Sequence, residues 1–97
     1  MYKILFLLKK NKDPDIREHF NNFILKYLSE ISGSEIKAAS VESNLLLEQK
    51  YDNFCELSAK SKGEMDNMMN TEDGKNLNKD LADFHKHIDL ITVNYNQ

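Results

Sequence analysis

The chain has 97 residues, of which 13 are basic and 16 acidic, for a net charge of −3; 40% are hydrophobic and 30% charged. That length supports one hydrophobic core, so a single domain over residues 1–97 is expected. The acidic balance excludes a protein that holds nucleic acid through its overall field, because phosphate contact needs a basic face. Cys55 is the one cysteine, so there is no internal disulfide framework. The apolar run Ile4-Leu5-Phe6-Leu7-Leu8 falls well short of the roughly 18 residues of a membrane span. It is also shorter than the roughly 7–15 residues of a signal-peptide core. The expected location is cytoplasmic, with no membrane partner.

Tyr2 to Lys9 reads as a strand. Tyr2, Ile4, Phe6 and Leu8 fall on one face, and Leu5 and Leu7 on the other with Lys3 and Lys9. Both faces are apolar at the centre, the pattern of a strand buried on two sides. Asp13 then offers a helix cap and Pro14 a first-turn residue whose missing N–H costs nothing there. Ile16, Phe20, Phe23, Ile24, Tyr27, Leu28 and Ile31 recur at a 3.6 period and predict one amphipathic helix, stopped by Gly33.

From Glu35 to about Glu48 an extended segment is expected, carrying Ile36, Ala38, Val41 and Leu45-Leu46-Leu47, with Ser43-Asn44 as an irregularity. After a turn near Gln49-Lys50, Tyr51 to Ala59 reads as a strand with Cys55, Leu57 and Ala59 on one face. Ser61 caps a short helix with Met65, Met68 and Met69. Thr71 caps a longer one with Leu77, Leu81 and Phe84. His87 to Tyr95 closes the chain as a strand, Ile88 and Leu90 on one face and Ile91, Val93 and Tyr95 on the other.

The order β-α-β-β-α-β predicts an α+β, ferredoxin-like sandwich: an antiparallel four-stranded sheet with helices on one face. Helices cover one side only, yet the first strand is apolar on both. A second copy of the sheet, packed through a two-fold interface, is the expected cover, so a homodimer through the open sheet face is predicted. Leu5, Leu7, Ile91, Val93 and Tyr95 would share that face.

Few side chains announce chemistry. His19 sits at the edge of the apolar stripe and could act as a base or be a half-wet boundary residue. His85 and His87 form a His-x-His pair, but zinc needs three or four ligands and nothing completes the set, so no metal is expected. Cys55 alternates with Leu57 and Ala59, the pattern of a small core residue rather than a nucleophile. Tyr27 is the polar-tipped member of the helix stripe, either a ligand-orienting hydroxyl or a core residue reaching solvent. Gly33, Gly63 and Gly74 stand alone, so no phosphate-cradling loop exists. Base-stacking aromatics and a copper-binding cysteine pair are missing too.

The run Tyr51-Asp52…Glu56…Glu64-Met65…Thr71-Glu72-Asp73-Gly74-Lys75-Asn76-Leu77…Asp80-Leu81-Ala82-Asp83-Phe84, with the opening Met1 to Lys10, resembles the EthD family over nearly the whole chain. The resemblance implies a dimeric α/β barrel, two sheets packed face to face. Related barrels include cofactor-independent monooxygenases, isomerases and polyketide cyclases. Many members carry a His-x-Pro in the first helix; by spacing from Phe20 that histidine falls at Ile24, and Lys26 replaces the proline.

The resulting expectation is a homodimer that binds a small apolar or aromatic metabolite between first helix and sheet, needing no cofactor. The lining would come from Ile4, Phe6, Phe20, Ile24, Tyr27 and Phe84. The alternative is a cofactor-independent enzyme acting on a small aromatic or ketone substrate, with His19 or His85 as base and Tyr27 as hydrogen-bond donor.

Overall fold

The computed structural model of the protein describes residues 1–42, 45–46 and 48–95. Its strands are β1 (Tyr2–Lys9), β2 (Ala39–Ser40), β3 (Tyr51–Ala59) and β4 (Ile88–Asn94). They form one antiparallel sheet in the order β2-β3-β1-β4, so β1, the strand with two apolar faces, is central. This is the ferredoxin-like α+β arrangement.

The first helix is built in three parts: α1 (Pro14–His19), a wide π-turn at Phe20–Ile24, and α2 (Leu25–Ser32). It starts where Asp13 accepts the Asp15 N–H at 3.0 Å. It ends where Gly33 takes the left-handed conformation, φ 75°. Within the π-turn Leu25 N–H reaches back to Phe20 O. Phe20 and Ile24 are fully buried, but Phe23 is 49% exposed, so the expected stripe loses one member. The wide turn changes the angular step along the helix and swings Phe23 off the core face.

α3 (Lys62–Met69) and α4 (Glu72–Phe84) begin at Ser61 and Thr71, whose hydroxyls accept the Glu64 and Gly74 N–H groups, each at 3.2 Å. A short 3-10 turn, His85–His87, leads into β4. The core lies between helices and sheet, with Phe6, Leu8, Cys55, Leu57 and Ile88 from the strands against Phe20, Ile24, Leu28, Leu77 and Leu81.

The second strand is far shorter than the residue pattern predicts. Among the described residues of this stretch Ala39 and Ser40 form the ladder with β3, opposite Phe54 and Asn53, and the Val41 N–H adds a bond to Asp52 O. Upstream, the Ile36 N–H donates to Ser29 Oγ at 2.9 Å, which holds that stretch toward α2. The expected irregularity at Ser43-Asn44 and the expected strand residue Leu47 lie outside the described residues. Leu45 and Leu46 are exposed. Gln49 closes the loop, its Nε2 donating to Tyr51 O at 2.9 Å.

No helix among the described residues is long and apolar enough to cross a membrane.

Candidate functional site

Alternation places Leu5 and Leu7 on the sheet face opposite the helices, with Ile91 across from Leu5 and Phe54 across from Leu7. Val93 stands opposite Lys3 on the same face. Leu5, Leu7, Phe54 and Val93 are half-buried, and Ile91 and Tyr95 are 45% and 55% exposed. The patch is closed at each end by charge. At one end Lys3 Nζ meets Glu56 Oε1 at 3.0 Å. At the other, Asp89 accepts the Tyr51 hydroxyl at 2.7 Å and has Lys9 Nζ at 3.6 Å.

Tyr51 reaches that face because of a bulge. Leu8 pairs with Asn53 and Lys9 with Tyr51, so Asp52 has no partner in β1. The extra residue returns Tyr51 to the open face. Asp52 points elsewhere, to Arg17 Nη2 at 3.1 Å and the Asn11 N–H at 3.4 Å. Asp89 raises the Tyr51 phenol above its ordinary value, chiefly by the hydrogen bond.

The six residues expected to line a pocket are mostly core. Phe6, Phe20, Ile24 and Phe84 are buried, and Ile4 and Tyr27 pack against them half-buried. Open space lies instead at the β3 edge. A cavity of about 760 Å³ opens between the end of α2, the chain leading to β2, β3 and α3. Its lining mixes apolar residues, among them Ile31, Ile36, Leu57 and Met68, with polar ones such as Ser34, Glu35, Lys37, Ser58 and Glu64. None of the six expected residues lines it. The displacement has a simple cause: Phe20 and Ile24 of the π-turn and Phe6 of β1 are large apolar side chains that fill the core space between helix and sheet, and the void opens where β2 leaves β3 unpaired.

The histidines gather at the far end of α4. The His19 Nε2–H donates to the Asp80 carboxylate at 2.9 Å, tying α1 to α4. The His19 ring stacks on Phe23 and Phe84, both at 4.9 Å between centroids. His87 lies tilted on Phe84 at 5.2 Å and accepts from Asn11 Nδ2 at 3.4 Å. His85 is exposed, and its Nδ1–H donates to Ala82 O at 2.9 Å. None of the three lines the cavity. Cys55 is 2% exposed, and burial pushes its thiol up to about 12, which removes nucleophilic character at neutral pH.

Two features were not legible by residue pattern: the cavity wall and the Tyr51–Asp89–Lys9 cluster. A carboxylate on an otherwise apolar strand face, Asp89, was the available signal for the second.

The whole arrangement has solved counterparts. An ethyl tert-butyl ether d (EthD) family protein from Bacillus halodurans superposes with a TM-score of 0.80 at 23% identity, covering 99% of each chain. The fold is that of an EthD-family protein. An Arabidopsis thaliana protein superposes at 0.64 with 15% identity, over 99% of this chain and 93% of its own. At these identities the likeness is one of fold. No family model matches the chain, and no curated protein does. The EthD-like fold leaves the two sheet faces in different surroundings: one covered by helices with a cavity at its edge, one apolar and open.

Proposed function

We propose that the protein is a homodimer through its open sheet face and binds a small apolar or aromatic molecule in the cavity between α2, α3 and β3. The cavity carries the reading. Its volume of about 760 Å³ falls within the roughly 300–1,000 Å³ of small-molecule sites. A lining that mixes apolar side chains with hydroxyl and charged groups suits a ring with a polar substituent.

The dimer rests on the opposite face. Leu5, Leu7, Phe54 and Ile91 form a contiguous patch, and each end of it carries a cation beside an anion. Neutral, charge-paired ends let the patch meet a copy of itself without like-charge repulsion. Catalysis by His19 or His85 is the weaker reading, because both engage other groups and neither lines the cavity.

Titration with 2-naphthol, read by its fluorescence, tests the site. Saturable binding that weakens about ten-fold or more in Met68→Trp, with the circular dichroism spectrum unchanged, supports it. Met68 lines the cavity, so a larger side chain there takes up its space. Absence of saturable binding in the wild type rejects it.

A further inference from the structure

Residues 34–38 join Gly33 to β2 in extended form, yet β2 pairs with β3 only through Ala39 and Ser40. Beyond that point β3 has no strand partner on its outer edge among the described residues. The Val41 N–H donates to Asp52 O at 2.9 Å, so the residues of β3 that turn their backbone groups to this edge are Asp52, Phe54, Glu56 and Ser58. Open volume flanks residues 34–38 on both sides. Toward β3 is the 760 Å³ cavity, and toward α2 a groove of about 480 Å³ that includes Leu25 and Ser29. The Ile36 N–H to Ser29 Oγ bond anchors the stretch on the α2 side.

Continuing the observed register puts Ala38 opposite Cys55, Lys37 opposite Glu56, Ile36 opposite Leu57 and Glu35 opposite Ser58. Each match is chemically sound. Ala38, Cys55, Ile36 and Leu57 would share the helix-facing side, apolar with apolar. Lys37 and Glu56 would share the open face as opposite charges. Lys37 and Glu35 would stand at the hydrogen-bonded positions, facing Glu56 and Ser58. A one-residue slip would lose all of these at once.

We propose that residues 34–38 are a strap that extends β2 along the free edge of β3 and closes the cavity. The observed position, anchored to Ser29, is the open form. A bound molecule occupies the space the closed strap needs, so ligand and closure exclude each other. Closure therefore lowers apparent affinity by the fraction of chains left open. The proposal rests on the cavity being the ligand site.

Amide exchange of the wild type and Lys37→Pro, followed by 2-naphthol titration of both, provides the test. Proline at position 37 removes the donor that the closed ladder needs and suits the extended backbone before it. It leaves the Ala39–Phe54 pairing in place. With the two forms about equally populated, the Glu56 and Ser58 amides exchange about two-fold faster in the variant, and 2-naphthol binds it about two-fold tighter. Lys37→Glu, which sets like charges opposite each other, moves both readouts the same way and stands in if the proline variant fails to fold. Equal exchange at Glu56 and Ser58 in all three proteins overturns the strap. Faster exchange with unchanged affinity overturns its control of the cavity. Faster exchange with no binding by any of the proteins upholds the strap and rejects the cavity as a ligand site.

Discussion

The Tyr51 hydroxyl donates to Asp89 across the width of β1, at 2.7 Å, joining β3 to β4 on the face that carries no helices. A single unpaired residue, Asp52, makes this possible by returning Tyr51 to that face. The bond couples the phenol to a carboxylate that stabilises its protonated form.

The Tyr51 phenol therefore titrates above 10. Difference absorbance near 295 nm in the alkaline range should show one tyrosine shifted upward, and Asp89→Asn should lower it. A raised value means the folded form holds its proton longer than the unfolded one. The contribution to stability is complete below pH 10 and lost as pH rises through the folded-state value.

Cys55 should be inert in the folded protein. Its thiol, ordinarily near 9, is pushed to about 12 by burial. A disulfide reagent at pH 8 should label it only at the rate of unfolding, and at once in denaturant. Because the unfolded thiol ionises first, the stability associated with this group is intact below pH 9 and falls between pH 9 and 12. Prompt labelling of the native protein would contradict this.

Leu5→Glu should yield a monomer that remains folded. Leu5 is half-buried in the isolated chain, so a carboxylate there meets water. In a face-to-face dimer it would be buried without a partner, which is costly. Light scattering should show the wild type at twice the chain mass and the variant at one. A monomeric wild type at micromolar concentration would remove the dimer.

Gly74→Ala should destabilise the fold by about 1–3 kcal/mol, the range for forcing extra carbon into a packed site. A Cβ on Gly74 would overlap the backbone carbonyl of Met69, where α3 approaches α4. Gly63→Ala is the control. Its Cβ would meet only Ser61 Oγ at 3.9 Å. Alanine in this exposed helical position should raise stability by roughly 0.5–1 kcal/mol. Thermal melts of the two variants should move in opposite directions.

Much of the fold could be read from local chemistry. Asp13 and Pro14 announce the first helix, Gly33 ends it, and Ser61 and Thr71 open the later helices at the residues predicted. The two-sided β1 marks the centre of the sheet, and its open face collects the leucines expected there. The site was less legible. Aromatic residues of the first helix and β1, such as Phe20 and Phe6, read equally well as a pocket wall or as core, because composition does not say whether side chains fill the space between them.

By itself, the sequence determined the element order, the helix ends and, outside the Asp52 bulge, which residues of a strand share a face, because capping and periodicity act within a few residues along the chain. Tertiary structure alone decided three things. It decided that the Ile36 N–H goes to Ser29 Oγ, so β2 stops at Ala39 and a cavity opens beside β3. It decided that Asp52 bulges, which sends Tyr51 to Asp89 and Asp52 to Arg17. It decided that Phe6, Phe20 and Ile24 close on one another while Phe23 stays out. The physical reason is common to all three. Each is a competition between partners distant in sequence for one donor, one register or one volume, and local propensity is blind to such a competition.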